Sequence, residues 1–467
     1  MEASNLQIYW HESQPIYSLC FQPSEARKPR LLTAGGDNRV RAWMLNFEED
    51  NRMRVDTIDF LSSLTQHEQA VNVIRFNSTG EILASAGDDG QLLLWRQNDE
   101  MVKEFGMDDT EFDDFKESWT VWKKIRSGSD ACEIYDLAWS PNDRYIVTAS
   151  MDNAVRVFDV EAGKRVLSVT DHNHYVQGVI WDPLDQYIFS QSADRALNVY
   201  EIVKASEDNT ISALKLKNKI IKGDLPQRIG EQNFDKNETK NCMLFHNETL
   251  PSFFRRAAIS PCGNLLCVPA GIFKSEMTNE IHNSVYIYTR AAIASNINRP
   301  IMCLPFLKRP PIAISFNPNR YSLKTDKAYV QLPYKLVFAV ATSNEVLLYD
   351  TEDVHPLGIV GNLHYTPLTD LSWSQDGSLL MVSSTDGFCS YVCLDQSILG
   401  TKVGNDSLSP VRTQPEGITT NQRESKNAVN ILPVKRAGPT GEQGYDTGPK
   451  RIHPILVQDD QHKEQQQ

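Results

Sequence analysis

The sequence predicts an all-β protein, a seven-bladed β-propeller followed by a disordered C-terminal tail. Three observations carry that prediction: a recurring strand-and-turn phrase, a fixed Asp-to-aromatic spacing, and a compositional break near residue 395. The phrase occurs seven times, as IYSLCFQP at Ile16, VNVIRFNSTG at Val71, IYDLAWSPND at Ile134, VQGVIWDPLD at Val176, RAAISPCGN at Arg256, IAISFNPN at Ile312 and LTDLSWSQDG at Leu368. After it come a second apolar run, a tight turn and a third run ending in an aromatic, as in LLTAGGDNRVRAW and ILASAGDDGQLLLW. Short alternating strands at a repeat of roughly 40–45 residues read as four-stranded blades, and one such sheet cannot bury both faces alone. Seven packed radially can, which fills residues 1–395.

An Asp in the second turn stands six residues before the strand-ending aromatic at Asp37/Trp43, Asp89/Trp95, Asp152/Phe158 and Asp194/Tyr200. This spacing resembles the WD repeat, in which the turn Asp holds an upstream His; His67 and His174 are the candidates here. Blade 5 has no turn Asp and blade 6 has Asn344 in its place, so both are expected to be looser. The N-terminal NLQIYW is expected to pair with the last blade, closing the ring and removing an open strand edge. Insertions at about 99–130 and 203–250 read as solvated loops. The first is acidic over 99–120, and its Phe105, Phe112 and Phe115 interleave with carboxylates as in acidic-hydrophobic interaction segments. From 396 to 467 Tyr445 is the only aromatic, and that composition cannot support a core.

Composition narrows the function. The 467 residues carry 47 Lys plus Arg against 60 Asp plus Glu, a net charge of −13, which argues against gripping nucleic acid through the overall field. No sequence-specific nucleic-acid binding is expected. The eight cysteines are too sparse for a disulfide framework and form no CxxC pair. The N-terminus lacks the order of a secretory signal and no apolar run is long enough for a bilayer span, so a soluble intracellular protein without membrane contact is expected. No GxxxxGK[ST], GxSxG or HExxH phrase is present, and Asp171-His172-Asn173-His174 reads as blade structure rather than a metal site. A non-enzymatic protein without metal or cofactor is the expectation.

Two phrases exceed what blade packing demands: HNHYVQGVIWDPLDQYIFSQSADRALNVY from His172 and MLFHNETLPSFFRRAAISPCGNLLCVPAG from Met243. With ESWTVWKKI from Glu117, they resemble the middle, WD-repeat subunit of chromatin assembly factor 1. The HIRA-type replication-independent histone chaperones share the propeller and similar phrases, but usually continue into a second large domain. The resemblance implies a nuclear scaffold subunit that helps deposit histones three and four on newly replicated DNA, with the large and small subunits of the complex as partners. A WD-repeat substrate receptor of a ubiquitin ligase is the alternative from another class. In the tail, GPKRIHPILV at 448–457 resembles the motif by which both chaperone families dock on the anti-silencing histone chaperone. Lys450 and Arg451 match its basic positions, Ile452 the apolar anchor, Pro454 the proline and Ile455 the following apolar site. An apolar island in a disordered tail suits an extended strand added to another protein's sheet edge. Chance clustering or an import signal is the alternative reading. On the propeller, Tyr175, Gln177, Arg255 and Arg256 begin inner strands and are expected to stand exposed on a face that contacts another subunit.

Overall fold

A computed structural model describes residues 1–24, 28–48, 54–103, 109–126, 132–206, 209–229, 233–274, 281–324, 330–404, 430–431 and 451–452. Seven antiparallel sheets form the ring. Blade 1 is Ile16–Phe21, Arg30–Gly35, Val40–Phe47 and Val55–Leu64, from the axis outwards, and blades 2 to 6 repeat this order within 71–126, 134–169, 176–220, 258–307 and 311–361. Blade 7 takes three strands from 368–393, and its fourth is Glu2–Leu6, paired from Glu2 with Cys393 to Leu6 with Cys389. The N-terminus therefore closes the ring, but with 2–6 rather than with all of NLQIYW. Trp10, fully buried, instead packs edge-on against Trp43 at 4.9 Å between blades 7 and 1.

The core is divided into seven apolar layers, one in each wedge between neighbouring blades. Every strand offers alternate side chains to the two flanking wedges, so no blade has a solvated face except at its outer strand. The insertions differ from the expectation of loops. Trp119–Arg126 is the outer strand of blade 2, and Ile211–Ile220, which carries most of the basic LKLKNKIIKG, is that of blade 4; 222–243 is a separate hairpin. The acidic segment docks on blade 1, where Phe115 meets Phe60 at 5.8 Å and Glu117 pairs with Arg30 at 2.8 Å. Phe105 lies outside the described residues. The packed structure runs past 395: the helix Gln396–Leu399 buries Leu399, and Val403 N–H donates to Arg320 O at 2.9 Å.

Six inner strands carry a bulge at their second residue, placing Tyr17, Asn72, Tyr135, Gln177, Ile312 and Thr369 outside the ladder. A bulge leaves its extra residue unpaired and turns it away from the sheet. Here that happens at the mouth of the axial channel, which makes this end of the ring chemically distinctive.

Candidate partner-binding site

Call the face where inner strands begin the upper face. Among the described residues, four His–Asp pairs brace its loops. His11 Nδ1 lies 2.7 Å from Asp37 and Nε2 2.8 Å from Thr33 Oγ1; His67 makes the same contacts to Asp89 at 2.8 Å and Ser85 at 2.6 Å. The strand-ending Trp43 and Trp95 donate their indole N–H to the same Thr33 and Ser85 hydroxyls at 2.9 and 2.8 Å, which explains the six-residue Asp-to-aromatic spacing. In blade 4 the histidine is His172, not His174: His172 is buried, 3.2 Å from Asp194 and 2.7 Å from Ser190. His174 lies past the turn and instead accepts the Tyr175 N–H at 3.0 Å. His364 and Asp386 form the fourth pair, at 3.0 Å. His11 and His364 are absent from the sequence-level assignment, yet the 22-residue separation shared by His67/Asp89, His172/Asp194 and His364/Asp386 is a signal that finds the latter. Burial opposes ionisation of Asp194, but His172 and the N–H groups of Asn173 and Ala196 outweigh it and hold the carboxyl well below its usual range. Among the described residues of blade 3 no histidine pairs with Asp152; Arg156 holds it at 2.9 Å.

Gln177, Arg255 and Arg256 do not stand exposed: they are 1%, 0% and 3% accessible, which corrects the expectation of a free binding face built on them. Arg256 crosses the channel. Its guanidinium donates to the carbonyls of Tyr17 at 2.9 Å, Thr369 at 3.0 Å and Asn72 at 2.7 Å, three bulged residues whose carbonyls it ties together from the opposite side of the ring. It also pairs with Asp370 at 3.3 Å and Asp136 at 3.7 Å, while Arg75 meets Asp370 at 2.9 Å. Two cations and two carboxylates thus seal the channel, with Phe254 covering Arg256 at 4.0 Å. Gly178 belongs to the same arrangement, because a Cβ there would fall 2.0 Å from Arg255 O. Arg255 donates its terminal N–H groups to the backbone carbonyls of Ser192, His246 and Asn247 at 3.2, 2.6 and 2.5 Å, and burial without a paired carboxylate pushes it down to about 10. The arginine pair is therefore architectural. Only Tyr175, half-buried, faces outward among the four residues.

Of the tail motif, Arg451–Ile452 forms a short parallel strand on Ile359–Val360 at the outer edge of blade 6, and Asn430–Ile431 does the same on Met302–Cys303 of blade 5. Lys450, Pro454 and Ile455 lie outside the described residues. The motif's backbone is thus suited to edge addition, and the outer edges of blades 5 and 6 accept such a strand. Among the described residues no group of three His, Cys, Asp or Glu side chains could hold a metal ion, and no helix is long and apolar enough to cross a membrane.

The CAF1B/HIR1 beta-propeller domain family matches residues 1–399, so the match ends at the last residue of the helix Gln396–Leu399. The chain is 50% identical to the B subunit of chromatin assembly factor 1 from Saccharomyces cerevisiae, over 98% of its own length and 100% of that protein's. It is 38% identical to the Mus musculus protein of the same name, covering 88% of this chain and 70% of that one. Protein HIR1 of Candida albicans is 25% identical over 92% of this chain and 45% of its own length. On the seven-bladed ring, the matched propeller family and full-length identity at this level, the chain belongs to the family of chromatin assembly factor 1 B subunits.

Proposed function

We propose that this chain is the propeller subunit of a chromatin assembly factor 1 complex, a non-enzymatic nuclear scaffold that helps place histones three and four on newly replicated DNA. One observation carries the reading: correspondence with the yeast protein runs through the tail, over 98% of this chain, whereas the HIR1 protein is matched over 45% of its length. That asymmetry favours the chromatin assembly factor over the HIRA-type assignment. The ring supplies a rigid platform with its interior filled by seven apolar layers and its channel closed by the arginine–carboxylate network. Such a platform presents loops and edges to partners.

The mechanism in this reading is recruitment. The propeller holds the large subunit of the complex, and the small subunit joins through the assembled particle. The tail around Lys450, Arg451, Ile452, Pro454 and Ile455 docks on the anti-silencing chaperone as an added strand and so receives histones from it. Net negative charge suits a protein that meets basic histones and does not itself grip DNA. Affinity purification of the tagged full chain from nuclear extract, with the recovered proteins identified by mass spectrometry, tests the assignment. Recovery of the two other complex subunits with histones three and four is expected; recovery of a cullin adaptor in their place overturns it in favour of a ubiquitin-ligase receptor.

A further inference from the structure

The bulged inner strands deliver an unusual set of groups to the upper mouth of the channel. Tyr17 and Tyr135 arrive on bulges of blades 1 and 3, and Tyr175 precedes the inner strand of blade 4 with its ring 6.1 Å from that of Tyr135. On the far side Phe254 lies 6.1 Å from Tyr17 and edge-on to Phe253, which is 65% exposed. A large aromatic ring so far out of the core, edge-on to Phe254, belongs to none of the wedge layers.

Between these rings stand two half-buried carboxylates, Asp88 and Glu133. Asp88 accepts from Asn72 Nδ2 at 2.6 Å and Glu133 from the Tyr135 hydroxyl at 3.0 Å, and among the described residues neither pairs with a cation. Burial, and then the charge of Glu133, hold Asp88 above its ordinary value although the Asn72 hydrogen bond opposes this. The cations nearest the axis, Arg75 and Arg256, are already engaged by Asp136 and Asp370 in the seal below. A further acceptor is buried on the neighbouring bulge: Gln177, 1% accessible and bulged like Tyr17 and Tyr135, donates its Nε2 to Ser252 O at 2.8 Å while its Oε1 is enclosed without a partner among the described residues. The two half-buried carboxylates at the mouth thus carry negative charge without a paired cation among the described residues, and the apolar groups beside them are aromatic rings.

Acceptors and aromatic rings around a site of negative charge fit one ligand chemistry. A guanidinium or ammonium gives N–H to carboxylates and carbonyls and lies favourably on aromatic faces. A nucleic-acid phosphate would be repelled, and a purely apolar side chain would desolvate the two carboxylates without giving them a cation. We propose that the upper channel mouth, framed by Tyr17, Asp88, Glu133, Tyr135, Tyr175 and Phe253, is a docking cup for an arginine or lysine side chain carried on an extended basic segment of a protein partner. The cup is independent of the tail motif and of the complex in which the chain works, and it places a partner contact on the upper face through half-buried and exposed residues around the buried Tyr135.

The test uses the full chain and a fluorescein-labelled Gly/Ser peptide with an Arg-Lys pair at its centre. The same peptide carrying citrulline and acetyl-lysine is the comparison, and binding is followed by anisotropy at low and high salt. The basic peptide is expected to bind more tightly than the neutral one, with the advantage shrinking as salt screens the exposed part of the contact. Glu133→Gln and Phe253→Ser, which leave the wedge cores intact, should each weaken the basic peptide by about threefold to tenfold without changing the melt, in line with a screened ion pair and a cation–π contact. Asp88→Asn combined with Glu133→Gln should abolish the difference between peptides, and if this pair fails to fold the two single variants decide. Glu161→Gln, on the opposite face, should change nothing. Equal binding of the two peptides, or unchanged affinity in both Glu133→Gln and Phe253→Ser, overturns the proposal.

Discussion

Replacing Arg256 by Met should unfasten the ring from its centre. Arg256 is 3% accessible and donates to three carbonyls, those of Tyr17, Asn72 and Thr369, which belong to bulged residues of blades 1, 2 and 7. It also meets Asp370 and Asp136 at 3.3 and 3.7 Å. Met fills much of the stem's volume but leaves three buried carbonyls without their donor and two buried carboxylates with Arg75 alone. Breaking a buried pair by removing one partner costs about 3–5 kcal/mol, and each orphaned acceptor adds on the order of 1 kcal/mol or more when water cannot reach it. With three such acceptors a loss of about 6–8 kcal/mol is expected, a large fraction of the 5–15 kcal/mol typical of a folded domain. The assay is urea denaturation of the full chain followed by tryptophan fluorescence. Arg256→Lys should be intermediate, because one ammonium cannot span three carbonyls that a planar guanidinium reaches together. Asp136→Asn should be better tolerated when combined with Arg256→Met than in the wild type, since it then removes a charge that has lost its partner. A loss below about 1 kcal/mol for Arg256→Met, the size of an exposed ion pair, would refute the reasoning.

Deleting residues 1–11 removes the fourth strand of blade 7, Trp10 and His11 together, and should abolish the cooperative melt rather than trim it, because blade 7 is left with an open edge; a deletion variant melting within a few degrees of wild type would contradict closure by the N-terminal strand. Acidification should act in two steps: burial lowers His11, so stability falls as pH drops below about 6.5, where the unfolded chain takes a proton and the folded one does not, and the depressed Asp37, Asp89, Asp194 and Asp386 add a second loss below about pH 4. Urea midpoints across pH measure this, and His11→Gln should remove the upper step and shrink only the Asp37 share of the lower one. Ile452→Asp in a tail peptide should weaken binding to the purified anti-silencing chaperone by at least about tenfold, and Lys450→Ala should cost less and depend more on salt; equal affinities for wild-type and Ile452→Asp peptides return the motif to a chance cluster or an import signal.

Much of this molecule is legible in the linear sequence, and the reason is repetition. A blade is a local unit of consecutive strands, so the alternation, the turn residues and the six-residue Asp-to-Trp spacing recur in each copy, and the closing role of the N-terminus follows from a final blade one strand short. Histidine assignment failed by two residues at His172/His174, because both flank the same turn and only the loop's path decides which ring reaches Ser190. Asp386 escaped notice because the residue six positions later is Val392, with no aromatic to mark it. The acidic segment read as free and is packed, since Phe60, which covers Phe115, belongs to another blade. Arg256 is the clearest case of information that only the closed ring holds. Its carbonyl partners at Tyr17, Asn72 and Thr369 stand 239, 184 and 113 positions away, and no local pattern announces that a surface-type cation will be buried on the axis. Blade identity is written in short-range spacing because a hairpin is made by neighbours in the chain. The channel seal, the cup above it and the fate of each charge depend on seven inner strands meeting at one axis, and that geometry exists only after the ring has closed.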